Sequence, residues 1–231
     1  LNEDQFPSVA AKVMERLELT AEHGHHFEND GFDIGAACSG WTYGIHTVAA
    51  AMLARGHMAE IPYDKGVVIT SDTPTRILGR YDSDTRILFG DAATATMVQR
   101  ETHEDIKGFR IIRSSIGTVA KGTDTEDVAM PNALSLKHQG KDVHTLVMNG
   151  KKVYIHGREY TADFFRAYCE AYNVNPDDID YFIPHQSNKK MLDSMEKQFL
   201  KLGTNKYGED KMLSNIENVG NTVASSTPLC L

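Results

Sequence analysis

The sequence predicts a layered α/β protein, and three observations carry that reading. Apolar runs rich in β-branched residues, such as GVVITSD at 66–72, alternate with stretches of helical period, such as REYTADFFRAYCEAYNV at 158–174. Glycine, proline and asparagine punctuate the joins between them. At 231 residues, 41% of them hydrophobic, the chain is long enough to bury a sizeable core. Alternation of the two element types, rather than their segregation, argues for helices layered on sheets.

In order along the chain, FPSVAAKVMERLEL at 6–19 places Val9, Val13 and Leu17 at helical spacing, with Pro7 suited to a first turn. The polar loop TAEHGHHFENDG follows. FDIGAAC then predicts a short strand and SGWTYGIHTVAAAMLARG a helix, with Gly56 placed as its C-terminal cap. GVVITSD predicts a buried strand. RILFGD and AATATMVQR predict two strand-like runs around Gly90 and Asp91, and KGFRIIRSSIGT at 107–118 a further strand. Residues 119–150 read as loop with a short strand at HTLVMNG. A helix over 158–174 and a turn at PDD come next, and IDYFIPHQSN runs strand into loop. KKMLDSMEKQFLKLG is a helix closed by Gly203. MLSNIENVGNTVASSTPLCL reads as strand or loop followed by the start of a helix. Both ends are abrupt, so the sequence is expected to be part of a larger protein.

Composition narrows the function classes. The chain carries 24 Lys and Arg against 32 Asp and Glu, a net charge of −8, which disfavours a general nucleic-acid binder. No run approaches the roughly 18 apolar residues of a membrane span. LNEDQFPS has neither the basic start nor the apolar stretch of a signal peptide. The expectation is a cytoplasmic protein. Three cysteines, an odd number, argue against a disulfide framework, so reduced thiols are expected.

One of those cysteines stands apart. Cys169 falls within the apolar pattern of FFRAYCEAY and Cys230 beside Pro228 and Leu229, so both read as small buried hydrophobes. Cys38 lies at the join of a predicted strand and helix. There the exposed backbone N–H groups and the positive end of the helix dipole favour thiolate over thiol. Gly35, Ala36, Ala37, Ser39 and Gly40 carry little bulk, as the turn of a nucleophile requires. Among ten histidines, His23, His25 and His26 read as solvated loop rather than a metal site, and His46 as a packed helix residue. His185 follows the apolar run IDYFI at a strand's end, where α/β folds place working groups. Asn221, in ENVGNTVASS, has the same character. Taken singly, each of these two reads first as a satisfied turn residue.

Taken together, AACSGWTYGI, FGDAATATMV, IPHQSNKKM and VGNTVASS, in that order and spacing, resemble the β-ketoacyl-acyl-carrier-protein synthase III family of the thiolase superfamily. The resemblance covers nearly the whole chain, QFPSVAAKVMERL included. It implies a thiolase-like αβαβα architecture of two related halves, 1–105 with the nucleophile and 106–231 with the histidine and asparagine. It implies a catalytic set of Cys38, His185 and Asn221, and decarboxylative Claisen condensation of an acyl-coenzyme A primer with malonyl-acyl carrier protein through an acyl-cysteine. Two preorganised donors, the His185 imidazole and the Asn221 amide, would steady the enolate oxygen. His185 is also placed to take the thiol's proton.

The resemblance further implies substrate-binding roles for Phe6, Asn188 and Lys190, with Phe6 reaching a neighbouring subunit of a homodimer. Acyl-coenzyme A and acyl carrier protein are the expected partners. No metal and no cofactor beyond the coenzyme A thioester substrate are expected. Trp41 stands where the family usually has phenylalanine, and Ala92 replaces the glycine after FGD. Two rival readings stand beside this one. In one, a thiolase-fold acyltransferase moves the acyl group without decarboxylation in specialised metabolism. In the other, a truncated paralogue keeps the fold without the catalysis.

Overall fold

The computed structural model describes residues 7–19, 30–54, 63–78, 83–100, 108–118, 128–129, 146–203 and 211–231. The chain divides into two compact units, Leu1–Thr70 with Ala95–Gly117, and Ser71–Thr94 with Thr118–Leu231. Among the described residues no helix is long and apolar enough to cross a membrane.

In the first unit, helix α1 (Val9–Arg16) starts where its orphan N–H groups find acceptors. Ser8 Oγ accepts from Ala11 N–H at 3.1 Å, and the Asp33 carboxylate accepts from Val9 and Ala10 at 2.9 Å each. Pro7 therefore lies ahead of the cap rather than inside the first turn. Helix α2 (Gly40–Leu53) packs against strand β1 (Lys65–Asp72), which pairs with β2 (Ala92–Gln99). Helix and strand approach through two glycine–valine contacts. A Cβ on Gly44 would lie 2.5 Å from Val68 Cγ1, and one on Gly66 would lie 2.5 Å from Val48 Cγ1. Met52, Val68 and Val98 form the buried cluster, flanked by Trp41, Ile45, Val48 and Tyr63. Trp41 Nε1 donates to Thr96 Oγ1 at 2.9 Å, which ties the start of α2 to β2. The Gly56 cap expected for α2 lies outside the described residues.

In the second unit, α3 (Ser83–Arg86) leads into the FGD turn, and β3 (Val128–Ala129) pairs antiparallel with β4 (Val147–Met148). Helix α4 (Gly150–Tyr172) is capped by Asn149, whose Oδ1 accepts from Lys152 N–H at 3.2 Å. It ends at Asn173 with φ +51, a left-handed cap that asparagine tolerates. Helix α5 (Lys189–Leu202) stops at Gly203, as the pattern predicts, and α6 (Ile216–Val219) is a single turn. Met191, Met195 and Phe199 of α5 are buried against Val153, Tyr154 and Phe165 of α4 and against Phe182 and Met212. The Phe182 and Phe199 rings stack at 4.6 Å, with Phe165 against both.

Three strand expectations fail. FDIGAAC and the segment 108–118 form no strand among the described residues, FDIGAAC running into the 3₁₀ turn at Ala37, and Phe32, Phe109 and Ile112 are exposed. RILFGD becomes the end of α3 and a turn with one bridge, Phe89 to Asn221. A β-branched or apolar run is a strand only where a neighbour supplies the hydrogen bonds, and that neighbour is not encoded locally. Helix α4 begins two turns earlier than its apolar period announces. Gly150 and Gly157 lower local propensity there, and the Asn149 cap decides the start.

Candidate active site

Cys38 lies in the first unit, on a 3₁₀ turn (Ala37–Ser39) immediately ahead of α2. Spacing predicts it inside the first turn of that helix; it sits one short turn earlier, with Ser39 in the N-cap position of α2 and making no side-chain cap. Ala37 takes φ +43, a left-handed conformation uncommon for any residue with a Cβ. The sharp turn leaves Cys38 exposed. His46, further along α2, is bonded at Nδ1 to Ser114 Oγ at 3.0 Å, in keeping with a packed helix residue.

His185 and Asn221 lie in the second unit, where both meet the backbone of one residue, Val223. His185 follows the bridge of Phe182 with Met212. Its turn is locked by the next residue: Gln186 is fully buried and bonded at both ends of its amide. Oε1 accepts from Ser214 Oγ (2.9 Å) and Asn215 N–H (3.2 Å), and Nε2 donates to the Pro184 (2.9 Å) and Leu213 (3.4 Å) carbonyls. Burial drives the His185 pKa down from an ordinary 6.5 to about 4, against a smaller opposing pull from the Val223 backbone. Its Nδ1 is buried with no hydrogen-bond partner among the described residues.

Asn221 is held by an interlock of two motifs. Asn221 N–H donates to the Leu88 carbonyl at 2.7 Å, and Gly90 N–H donates to the Asn221 carbonyl at 3.0 Å, so VGNT pairs with FGD. The approach is close enough that a Cβ on Gly90 would fall 2.1 Å from the Val219 carbonyl oxygen. Asp91 in turn accepts from Thr75 N–H at 3.0 Å. Past Asn221 the chain makes a 3₁₀ turn, Val223–Ser225, on a floor of buried hydroxyls, with Ser226 Oγ accepting from Thr222 N–H at 3.2 Å. Val223 N–H donates to Asn221 Oδ1 at 3.0 Å. That bond fixes which end of the amide is which: the oxygen faces the backbone, and Nδ2 is left as the donor. Val223 itself has φ +53, an outlier for a β-branched residue that costs on the order of 1–3 kcal/mol.

The pair therefore meets at one strained residue, Val223, with no charge added at neutral pH. An imidazole that protonates only near pH 4 stays neutral at physiological pH. A neutral imidazole can donate one hydrogen bond to a forming oxyanion.

The remaining expected residues fare differently. Asn188 caps α5, its Oδ1 accepting from Met191 N–H at 2.9 Å, so one end of its amide is committed to structure. Lys190 is exposed on the first turn of α5, and its neighbour Lys189 pairs with Asp193 at 2.6 Å. Phe6, His23, His25 and His26 lie outside the described residues. Cys169 is buried, and burial raises its pKa. Cys230 is half-buried, with Sγ 3.6 Å from the Ser226 carbonyl. Among the described residues no group of three or more His, Cys, Asp or Glu could hold a metal. The sequence reading missed Gln186, Asp72 and Val223. A lone glutamine inside PHQSN and an aspartate closing GVVITSD are faint signals, and a strained valine has none.

With this geometry in place, the architecture is seen to be thiolase-like. A solved 3-oxoacyl-(acyl carrier protein) synthase III from Pseudomonas aeruginosa superposes with TM-score 0.78 at 26% identity, over 100% of this chain and 64% of its own. Family models for 3-oxoacyl-(acyl-carrier-protein) synthase III match residues 32–120, and for its C-terminal part residues 169–231, together more than half of the chain. The chain belongs to the β-ketoacyl-acyl-carrier-protein synthase III family. Relatives carrying that name include one from Mesorhizobium japonicum, 32% identical over 227 residues, and one from Brucella suis, 30% identical over 226. Each alignment takes in 98% of this chain and 63% of the relative, so the chain spans less than two thirds of the length of these relatives.

Proposed function

We propose that this chain carries the reacting side chains of a ketosynthase that condenses an acyl-coenzyme A primer with malonyl-acyl carrier protein, in fatty acid or polyketide synthesis. The observation that carries the reading is the pair His185 and Asn221: a half-buried imidazole whose pKa is lowered and an amide turned donor-outward, both against Val223. In this reading the Cys38 sulfur attacks the primer's thioester carbonyl and coenzyme A leaves as its thiol. The malonyl thioester then loses carbon dioxide. The electron pair of the broken bond passes to an enolate whose oxygen takes hydrogen bonds from His185 and Asn221. The enolate carbon attacks the acyl carbonyl, and Cys38 is released as thiolate. No cofactor is called for. The family membership supports acyl-coenzyme A and acyl carrier protein as partners, a homodimer as the working form, and the cytoplasm as the compartment.

The test is incubation with a panel of acyl-coenzyme A thioesters, read by intact mass. An adduct of acyl mass is expected in the wild type and absent in Cys38→Ala. No adduct from any primer would overturn the reading in favour of a non-catalytic relative.

A further inference from the structure

We propose that Asp72 is a positioning residue for the condensation step, holding Asn221 in its donor pose through the backbone of residues 223–225. The inference rests on the function proposed above and deepens it. Asp72 closes β1, and its Oδ2 accepts from Ala224 N–H at 3.1 Å, with the Ser225 backbone also facing the carboxylate. Ala224 directly follows Val223, the residue whose N–H fixes the Asn221 amide.

The turn lacks a cap of its own. Thr222, in the N-cap place, makes no side-chain cap; its N–H and hydroxyl are both spent on Ser226 Oγ. Asp72 supplies from 152 positions away what a local Ser or Asp normally supplies. A left-handed valine persists only where its surroundings over-determine it. Here the anchors are the Asn221–Leu88 pairing before it, the Ser225 Oγ bond to the Ala92 carbonyl after it, and the Asp72 carboxylate between. Removing the carboxylate frees the turn to relax toward ordinary φ. The Val223 N–H then leaves Asn221 Oδ1, and the amide loses its fixed orientation. Cys38 lies on another turn, so its acylation does not depend on this device.

The experiment compares wild type, Asp72→Ala, Asp72→Asn and Asn221→Ala, with Cys38 acylation and malonyl-dependent condensation followed separately. Asp72→Ala is expected to slow condensation about ten- to a hundred-fold, as loss of donor placement does, while the acylation rate changes by less than about two-fold. Asp72→Asn keeps an acceptor for Ala224 N–H and should recover most of the rate. Asp72→Ala placed on Asn221→Ala should cost nothing further, because both act through one amide. Equal loss in the two half-reactions, or an additive double variant, would overturn the proposal. Should Asp72→Ala not fold, Asp72→Asn decides: collapse of its condensation rate overturns the claim. Amide exchange at Ala224, faster by about ten-fold or more in Asp72→Ala, reads the cap without any activity; unchanged exchange overturns it. A wild type that forms no acyl adduct defeats the proposed function instead, a result separate from any of these.

Discussion

Val223 holds a conformation that β-branched residues avoid, and the Asn221 amide is aimed because of it. A side-chain amide left to itself rotates between donor and acceptor faces; here a single backbone N–H selects the face. Asn221→Ala removes that donor and should lower the condensation rate on the order of 10²–10³-fold. Acylation of Cys38, read by mass, should continue near the wild-type rate. Loss of both together would mean that Asn221 supports the fold rather than the enolate. The residue types themselves were legible. A cysteine at a strand–helix join, a histidine ending an apolar run and an asparagine between glycine and small residues point to chemistry at a turn only as a set, in ordered motifs. The orientation of the amide and the neutrality of His185 were not legible, since both come from burial and from contacts remote in sequence.

At the scale of elements, the close approach of FGD to VGNT sets the tolerance. Gly90→Ala would drive a Cβ to 2.1 Å from a backbone carbonyl, and backbone cannot yield as a side chain can. A loss of about 1–3 kcal/mol is expected, seen as a lower denaturant midpoint, with condensation reduced because Asn221 moves. Gly150→Ala is the matched control. Its Cβ meets nothing within 4 Å at the start of α4, and a gain of up to about 1 kcal/mol is expected. If both glycines tolerate alanine equally, the interlock does not bear on stability. Helices α1, α2, α4 and α5 were readable because a 3.6-residue period is written in the segment itself. FDIGAAC and 108–118 misled because a strand's existence is decided by its neighbour.

At the scale of the molecule, His185 makes stability depend on pH in a definite sense. Folded, it binds a proton only near pH 4; unfolded, near 6.5. Between those values the unfolded chain holds more protons, so stability rises with pH there. The contribution is complete above about pH 6.5 and is lost as pH falls toward 4, roughly 3 kcal/mol in all. Asp72 acts in the opposite sense: burial raises its pKa, so its ionisation disfavours the fold, a cost relieved as pH drops through the raised value toward its ordinary 3.8. Denaturant midpoints measured from pH 7 to pH 4 should fall steeply in wild type and less steeply in His185→Gln. Parallel curves would show that His185 is not buried in its neutral form.

The sequence alone carried the layered α/β class and the family, and put forward Cys38, His185 and Asn221 as the candidate set, because periodicity and ordered motifs are local and survive without coordinates. Tertiary structure decided what those residues are able to do. Burial sets the charge of His185, a strained valine sets the face that Asn221 presents, and an aspartate from the end of β1 caps the turn that holds the valine. Each effect arises between segments far apart in the chain, and no window of sequence contains the contact that causes it.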